Sequence, residues 1–142
     1  MTDENLLESL KRLNASARFN VWAGFEPWSA EAGRVELRMP WREDLGQYAG
    51  FLHAGVVSAL LDTACGFAAY TQAGHVLASH VSVSFLAPAR GSMFAARGEV
   101  LKAGKRQIYT RAELLAETEG VWRRVATGET LLIPASPSTS SG

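Results

Sequence analysis

Apolar positions recur along this chain with three different rhythms. Near the start, Leu6, Leu7, Leu10 and Leu13 return at helical spacing, with Asp3 and Glu4 early and Lys11 and Arg12 late. That charge order suits a helix dipole, so Asp3 to Leu13 predicts a short amphipathic helix lying across the rest of the protein. Phe19 to Trp28 is aromatic and irregular and predicts a strand. Gly33 to Pro40 alternates, with Val35, Leu37 and Met39 set against Arg34, Glu36 and Arg38, the pattern of a half-buried strand. A polar loop, Trp41 to Tyr48, follows.

The rhythm then changes. From Ala54 to Ala69 the only side chains with real polarity are Ser58, Asp62 and Thr63. The run is rich in Ala and Leu and free of Pro, which favours helix. Being apolar on nearly all sides, it predicts a buried helix, ended by Ala73 and Gly74. It reads as too short, and too interrupted by Asp62, to span a membrane, and no other segment has the length. Beyond it two-residue alternation returns in Val76 to Ala87, Met93 to Lys102, Arg106 to Ala116 and Val121 to Ile133. Pro88 to Gly91, Gly104 and Glu117 to Gly120 punctuate these strands. Strands, one buried helix, then a run of antiparallel strands describe an α+β protein: a curved antiparallel sheet wrapped around a single helix. Residues 1–134 are expected to form one domain and residues 135–142, Pro/Ser-rich, a disordered tail.

Composition narrows the function only a little. The 142 residues suffice for one sizeable core, and the formal net charge of zero gives no reason to expect a nucleic-acid partner. Met1 to Leu13 is polar and partly acidic, unlike a secretory leader. The single cysteine, Cys65, excludes an intrachain disulfide and fits a reducing, cytoplasmic setting. Cys65 lies about 18 Å along the helix from His53, so the two form no nucleophilic pair within a chain; it reads as a small buried hydrophobe. His75 and His80 show no metal-ligand spacing, and no metal is expected.

The chemistry concentrates on Asp62. A carboxylate is seldom buried without a partner, and Ser58, Ala59, Cys65 and Gly66, three and four residues away, offer no cation. Two turns inside the helix, it is no N-cap. It therefore reads as a carboxylate of raised pKa at the edge of a pocket. The helix start, His53-Ala54-Gly55, supplies the complementary feature: free first-turn N–H groups and a mildly positive end suited to an oxyanion, with small residues that permit close approach. Ala54 and Asp62 are separated by about 12 Å along the axis. One helix cannot bring both within about 3 Å of one reacting carbonyl. Two antiparallel copies related by a two-fold axis can, so a shared-site homodimer is the smallest assembly expected.

These residues resemble a known family. The segment HAGVVSALLDTACGFAA, with Gln47 six residues before His53, then VSVSFLAPARG (Val81 to Gly91) and GEVLKAGKRQ (Gly98 to Gln107), looks like the hotdog-fold acyl-CoA thioesterases, in particular their phenylacetate-pathway, PaaI-like branch. The resemblance runs from roughly Gly33 to Pro134. It implies that Asp62 is the catalytic nucleophile or general base, that the backbone N–H of Ala54 is the oxyanion donor, and that His53 and Gln47 shape and assist that loop. It implies that Gly55, Arg90, Lys102, Gly104, Lys105 and Arg106 meet the substrate and its CoA phosphates and nucleotide. It also implies subunits that pair, up to a homotetramer, and no cofactor beyond the CoA of the substrate. Two departures stand out: the family's usual His-Gly-Gly reads His53-Ala54-Gly55, and Ala78 stands where some members carry Ser. Phe51, Leu61, Phe67 and Tyr70 are candidate walls for an aryl or medium-chain acyl group. A hydratase or dehydratase on the same fold, or a non-catalytic acyl-binding module, are the competing readings.

Overall fold

The computed structural model describes residues 2–135. Its centre is helix α3, Ala54–Ala73, capped by His53 and ended by Gly74 in a positive-φ conformation (φ 73°) that suits glycine. Val56, Val57, Leu60, Leu61, Ala64, Cys65, Phe67, Ala68 and Ala69 are buried. Around it runs a six-stranded antiparallel sheet in the order β1-β2-β4-β5-β6-β3. The strands are β1 (Glu26–Glu31), β2 (Arg34–Pro40), β3 (Val76–Phe85), β4 (Met93–Ala103), β5 (Ile108–Thr118) and β6 (Val121–Pro134). This is the hotdog architecture that the resemblance implies.

Side-chain size along the strands explains how the helix seats itself. Register aligns Val35, Gly98, Ala112 and Gly128 across β2, β4, β5 and β6, with Val83 of β3 at the end of the row. The middle of this row has almost no side chain. The helix backbone lies in the gap: a Cβ on Gly98 would collide with the Ala64 carbonyl, and one on Gly128 would press Leu61 at 3.3 Å. Larger residues on either side, Leu37 and Leu114 toward one end and Val100, Ile108 and Leu132 toward the other, close the core.

Helix α1, Asp3–Ala15, is capped by the Thr2 hydroxyl, which accepts from the Asn5 N–H, and buries Leu6 and Leu10. The aromatic segment behaves differently from its strand expectation. It forms a second helix, α2 (Arg18–Ala23), ended by Gly24 in the left-handed region, and only Glu26 onward is strand. Two side-chain bonds hold this corner: Asn14 Nδ2 donates to the Phe25 carbonyl (2.9 Å) and Asn20 Nδ2 to Asn14 Oδ1 (3.1 Å). Phe19 stacks near both Trp22 and Phe25, a spacing of three residues that suits a helical turn. The β5–β6 hairpin turns at Glu119 and Gly120, both at positive φ, the geometry that matches strand twist.

Length alone does not exclude a membrane span. At 20 residues, α3 is long and apolar enough to cross a bilayer by those criteria alone. What marks it as a core helix is its packing against the strands. Most of the expected tail, residues 135–142, lies outside the described residues.

Gly98→Ala is expected to destabilise the fold by about 3 kcal/mol, because backbone lies in the way and cannot rotate aside. Urea unfolding would measure it; a change within about 0.5 kcal/mol would mean that the helix is free to lift from the sheet.

Candidate active site

The chain reaches α3 through a short, pinned loop. Gly46 and Leu52 form an isolated bridge, and the Gln47 N–H donates to the Phe51 carbonyl (2.9 Å). Leu52 N–H then donates to Ala89 O and His53 N–H to Leu45 O, each at 3.0 Å. These bonds fix His53 in an extended conformation (φ −60°, ψ 139°) as the N-cap. Its Nδ1 accepts from the Gly55 N–H at 2.8 Å, so the proton of a neutral ring sits on Nε2. Gly55 is small for this reason: a Cβ there would stand 3.0 Å from His53 Nδ1.

The cap leaves one donor over. Among the described residues the Ala54 N–H finds no acceptor, and Ala54 is exposed. Of the two small residues at the helix start, Ala54 therefore presents the free amide, whereas the Gly55 amide is committed to His53. Arg90 stands nearby, its Nη2 donating to the Ala49 carbonyl (3.2 Å) and its guanidinium over Phe51. Gln47, His53, Ala54, Gly55 and Arg90 are thus gathered at one end of α3.

Asp62 lies elsewhere, in the floor of a cavity of about 320 Å³. Its walls include Ala17 and Asn20 from the α1–α2 corner, Phe67 and Tyr70 from α3, and Val76 and Ala78 from β3. Of the four expected acyl walls, Phe67 and Tyr70 line this cavity. Leu61 is instead buried in the core, and Phe51 belongs to the loop beside Arg90. Ala78 shares the cavity with Asp62, so a hydroxyl at that position would have faced it. One carboxylate oxygen, Asp62 Oδ1, is buried with no hydrogen-bond partner. Burial pushes the Asp62 pKa above the usual carboxylate value, the Thr130 side chain offsetting part of that rise.

Two residues here drew no functional role from the sequence. Thr110 and Thr130 are buried polar side chains directly opposite each other on β5 and β6, and Thr110 Oγ1 donates to the Thr130 carbonyl at 2.7 Å. They sit at inward positions among Ile108, Ala112, Gly128 and Leu132, and a hydroxyl on the core side of a strand is the signal that would have found them. Cys65, fully buried, lies against the same hydroxyls, and burial pushes its thiol pKa up.

The basic residues divide. Arg90 precedes β4, whereas Lys102, Gly104, Lys105 and Arg106 lie at its other end and in the β4–β5 turn. Most of strand β4, Met93 to Leu101, separates the two groups, about 30 Å. Within one chain they do not meet, and Asp62 does not meet Ala54. Among the described residues no three His, Cys, Asp or Glu side chains gather to hold a metal ion.

Comparison with known proteins agrees with this architecture. The crystal structure of a thioesterase family protein from Silicibacter pomeroyi superposes with a TM-score of 0.87 at 37% identity, covering 90% of this chain and 96% of that one. A Saccharolobus solfataricus protein whose name proposes an esterase is 29% identical over 85 residues, 58% of this chain and 61% of that protein. A Halobacterium salinarum protein similarly named is 36% identical over 74 residues, 46% of this chain and 49% of that one. The chain therefore spans only about half to three-fifths of these two curated relatives. The profile of the thioesterase superfamily matches residues 49–122, the segment that holds the end of the pinned loop, α3 and strands β3 to β5. The chain belongs to the thioesterase superfamily.

Proposed function

We propose that this protein hydrolyses acyl-CoA thioesters, with aryl or medium-chain acyl groups, in the manner of the PaaI-like branch and in the cytoplasm. The observation that carries the reading is a pair of unsatisfied groups on one helix: the free Ala54 N–H and the buried, partnerless Asp62 Oδ1. The Ala54 amide holds the thioester carbonyl oxygen and the negative charge that develops on it. Asp62 takes a proton from an attacking water, or attacks the carbonyl itself and is released by water. The C–S bond breaks, CoA leaves as a thiolate, and the acid product remains. A thiolate is a good leaving group, so no strong general acid is demanded.

The two groups belong to different sites on one chain and to the same site across two. An antiparallel pair of α3 helices sets the start of one against Asp62 of the other. The same pairing brings the Lys102–Arg106 turn of one chain toward the Arg90 end of its partner, where a CoA phosphate or nucleotide would lie. Exposure supports the pairing. Edge strand β3 leaves Leu77, Val81 and Phe85 open to solvent, and α3 exposes Ala54, Gly55 and, in part, Ser58, Asp62 and Gly66. We take a homodimer as the functional unit and a homotetramer as its pairing. His75 lines the Asp62 cavity, which gives the hydratase reading a His–acid pair that the sequence did not suggest. Thiol release from an acyl-CoA panel, against loss of enoyl absorbance, separates the two chemistries.

Asp62→Asn is expected to lose at least about a hundredfold in kcat while still binding CoA. It should also unfold at a higher temperature at neutral pH. Because the folded carboxyl has a raised pKa, the folded state holds more protons than the unfolded one above about pH 4. Stability therefore falls as pH rises through that window, and the penalty persists above it. The asparagine variant carries no such penalty, so the gap in Tm should close toward pH 4. An equal Tm at pH 7.5 would show that the carboxylate is comfortably solvated.

Ala54→Pro removes the proposed donor without a steric objection. Residue 54 is the first helical position, which tolerates proline, and His53 already has the extended dihedrals that a following proline requires. We expect a native melting temperature and a kcat reduced about 10²–10³-fold. Mixing this variant with Asp62→Asn under subunit exchange should restore about a quarter of wild-type activity, since only heterodimers assemble one intact site. No recovery despite demonstrated exchange would place both groups in one chain and end the shared-site reading.

A further inference from the structure

Alone among the described glycines, Gly66 has neither a positive φ nor any neighbour within 4 Å of a Cβ built on it. It stands inside α3, where glycine loosens a helix and alanine is the better residue. The packing of the chain therefore gives no reason for glycine here. The position does belong to a stripe. Asp62, Gly66 and Tyr70 follow one another at four-residue spacing on one side of the helix, and all three line the Asp62 cavity. From Asp62 to Tyr70 the stripe runs about 12 Å along the axis. Two neighbouring elements bring only methyl groups to the same space, Ala17 from the α1–α2 corner and Ala78 from β3. The Tyr70 end is anchored. Its hydroxyl lies 3.3 Å from the Ser9 hydroxyl of α1, and its ring stands nearly perpendicular to that of His75, centroids 5.5 Å apart.

Resting on the reading of Asp62 as the reacting carboxylate, we infer that Gly66 is the residue that sets which acyl groups the site accepts. The acyl group leaves the reacting carbonyl beside Asp62, passes over the bare backbone at Gly66 and ends against Tyr70. The missing side chain is the width of that path. Gly66 lies about 6 Å beyond Asp62 along the axis. An acetyl group stops short of it and gains nothing from the space. A medium chain or an aryl group has to cross it. The helix therefore forgoes the stability that alanine would add at this one position and keeps room for the longer substrate. A glycine placed to admit a partner's helix would behave differently. A side chain at 66 would then weaken pairing and reduce turnover of every substrate alike.

Gly66→Ala and Gly66→Leu put a methyl and an isobutyl group into that space. Both residues favour helix, so both variants should fold, and Gly66→Ala should melt about 3 °C above wild type. Thiol release then reads the selectivity. The ratio of kcat/KM for octanoyl-CoA to that for acetyl-CoA should fall about tenfold in Gly66→Ala and further in Gly66→Leu. The oligomeric mass should stay that of wild type. Tyr70→Ala should act in the opposite sense and raise dodecanoyl-CoA relative to octanoyl-CoA. An octanoyl-to-acetyl ratio unmoved in both Gly66 variants overturns the inference. So does an equal loss on every substrate accompanied by dissociation into monomers. If wild type releases no thiol from any acyl-CoA, the functional reading fails instead. Calorimetry with octyl-CoA, the thioether that cannot be hydrolysed, against free CoA still decides whether Gly66→Leu shuts the chain out.

Discussion

The structure depends on how closely one helix approaches the sheet. Gly98, Ala112 and Gly128 make a nearly bare row across three strands, and the backbone of α3 at Ala64 and Cys65 occupies the space that side chains would otherwise fill. Everything near that crossing is dry and tightly packed: Leu60, Ala64 and Cys65 are fully buried. A helix seated this deep has little room for a polar residue. Asp62 stands two to three residues before the contact, close enough to lose much of its hydration and far enough to keep one side on the cavity. Its raised pKa and its partnerless oxygen both follow from that placement. A wider separation would admit water and leave an ordinary solvated carboxylate.

The same geometry leaves a flank uncovered. The sheet wraps α3 but β3 is an edge, and the helix stripe running through Ala54, Ser58, Asp62 and Gly66 is only partly covered by the α1–α2 corner. An edge strand of ten residues carrying exposed Leu77, Val81 and Phe85 is an unusual surface to leave in water. Its neighbour is a helix face of small side chains, the surface that lets another backbone come close. Two such flanks facing each other would complete both sites at once. On the proposed reading, assembly and catalysis would share a single structural cause: the open side of the wrap.

The sequence made part of this visible. Asp62 stood out because polarity is conspicuous in an apolar run, and the single helix among alternating strands sufficed for the architecture. The α1 and α3 boundaries and five of the six strands followed from periodicity. The α2 segment did not, because its aromatic composition suggests strand while its structure depends on Asn14 and Asn20, distant hydrogen bonds that no local pattern announces. Thr110 and Thr130 drew no role from the sequence for a related reason. Threonine is at home in any strand, and which face it occupies matters only once the register sets the two side by side in the interior. The division of the basic residues was readable, since a full-length strand lies between Arg90 and Lys105, yet a motif-by-motif comparison places them in one group.

The alanine at the helix start also has a physical explanation. Where the resemblance leads one to expect His-Gly-Gly, this chain has His53-Ala54-Gly55, and the question is which glycine the geometry needs. Ala54 is the first helical residue and is not among the positive-φ positions, so its Cβ meets no conformational penalty. Position 55 is different. Its amide donates to the His53 imidazole at 2.8 Å, and any Cβ there would press the same ring at 3.0 Å. A side chain at 55 would push the imidazole off its cap, and the Gly55 N–H would then compete with Ala54 for whatever anion the helix end receives. The glycine that the site requires is the one that keeps the cap closed, and the residue that offers the free amide can carry a methyl group without disturbing it.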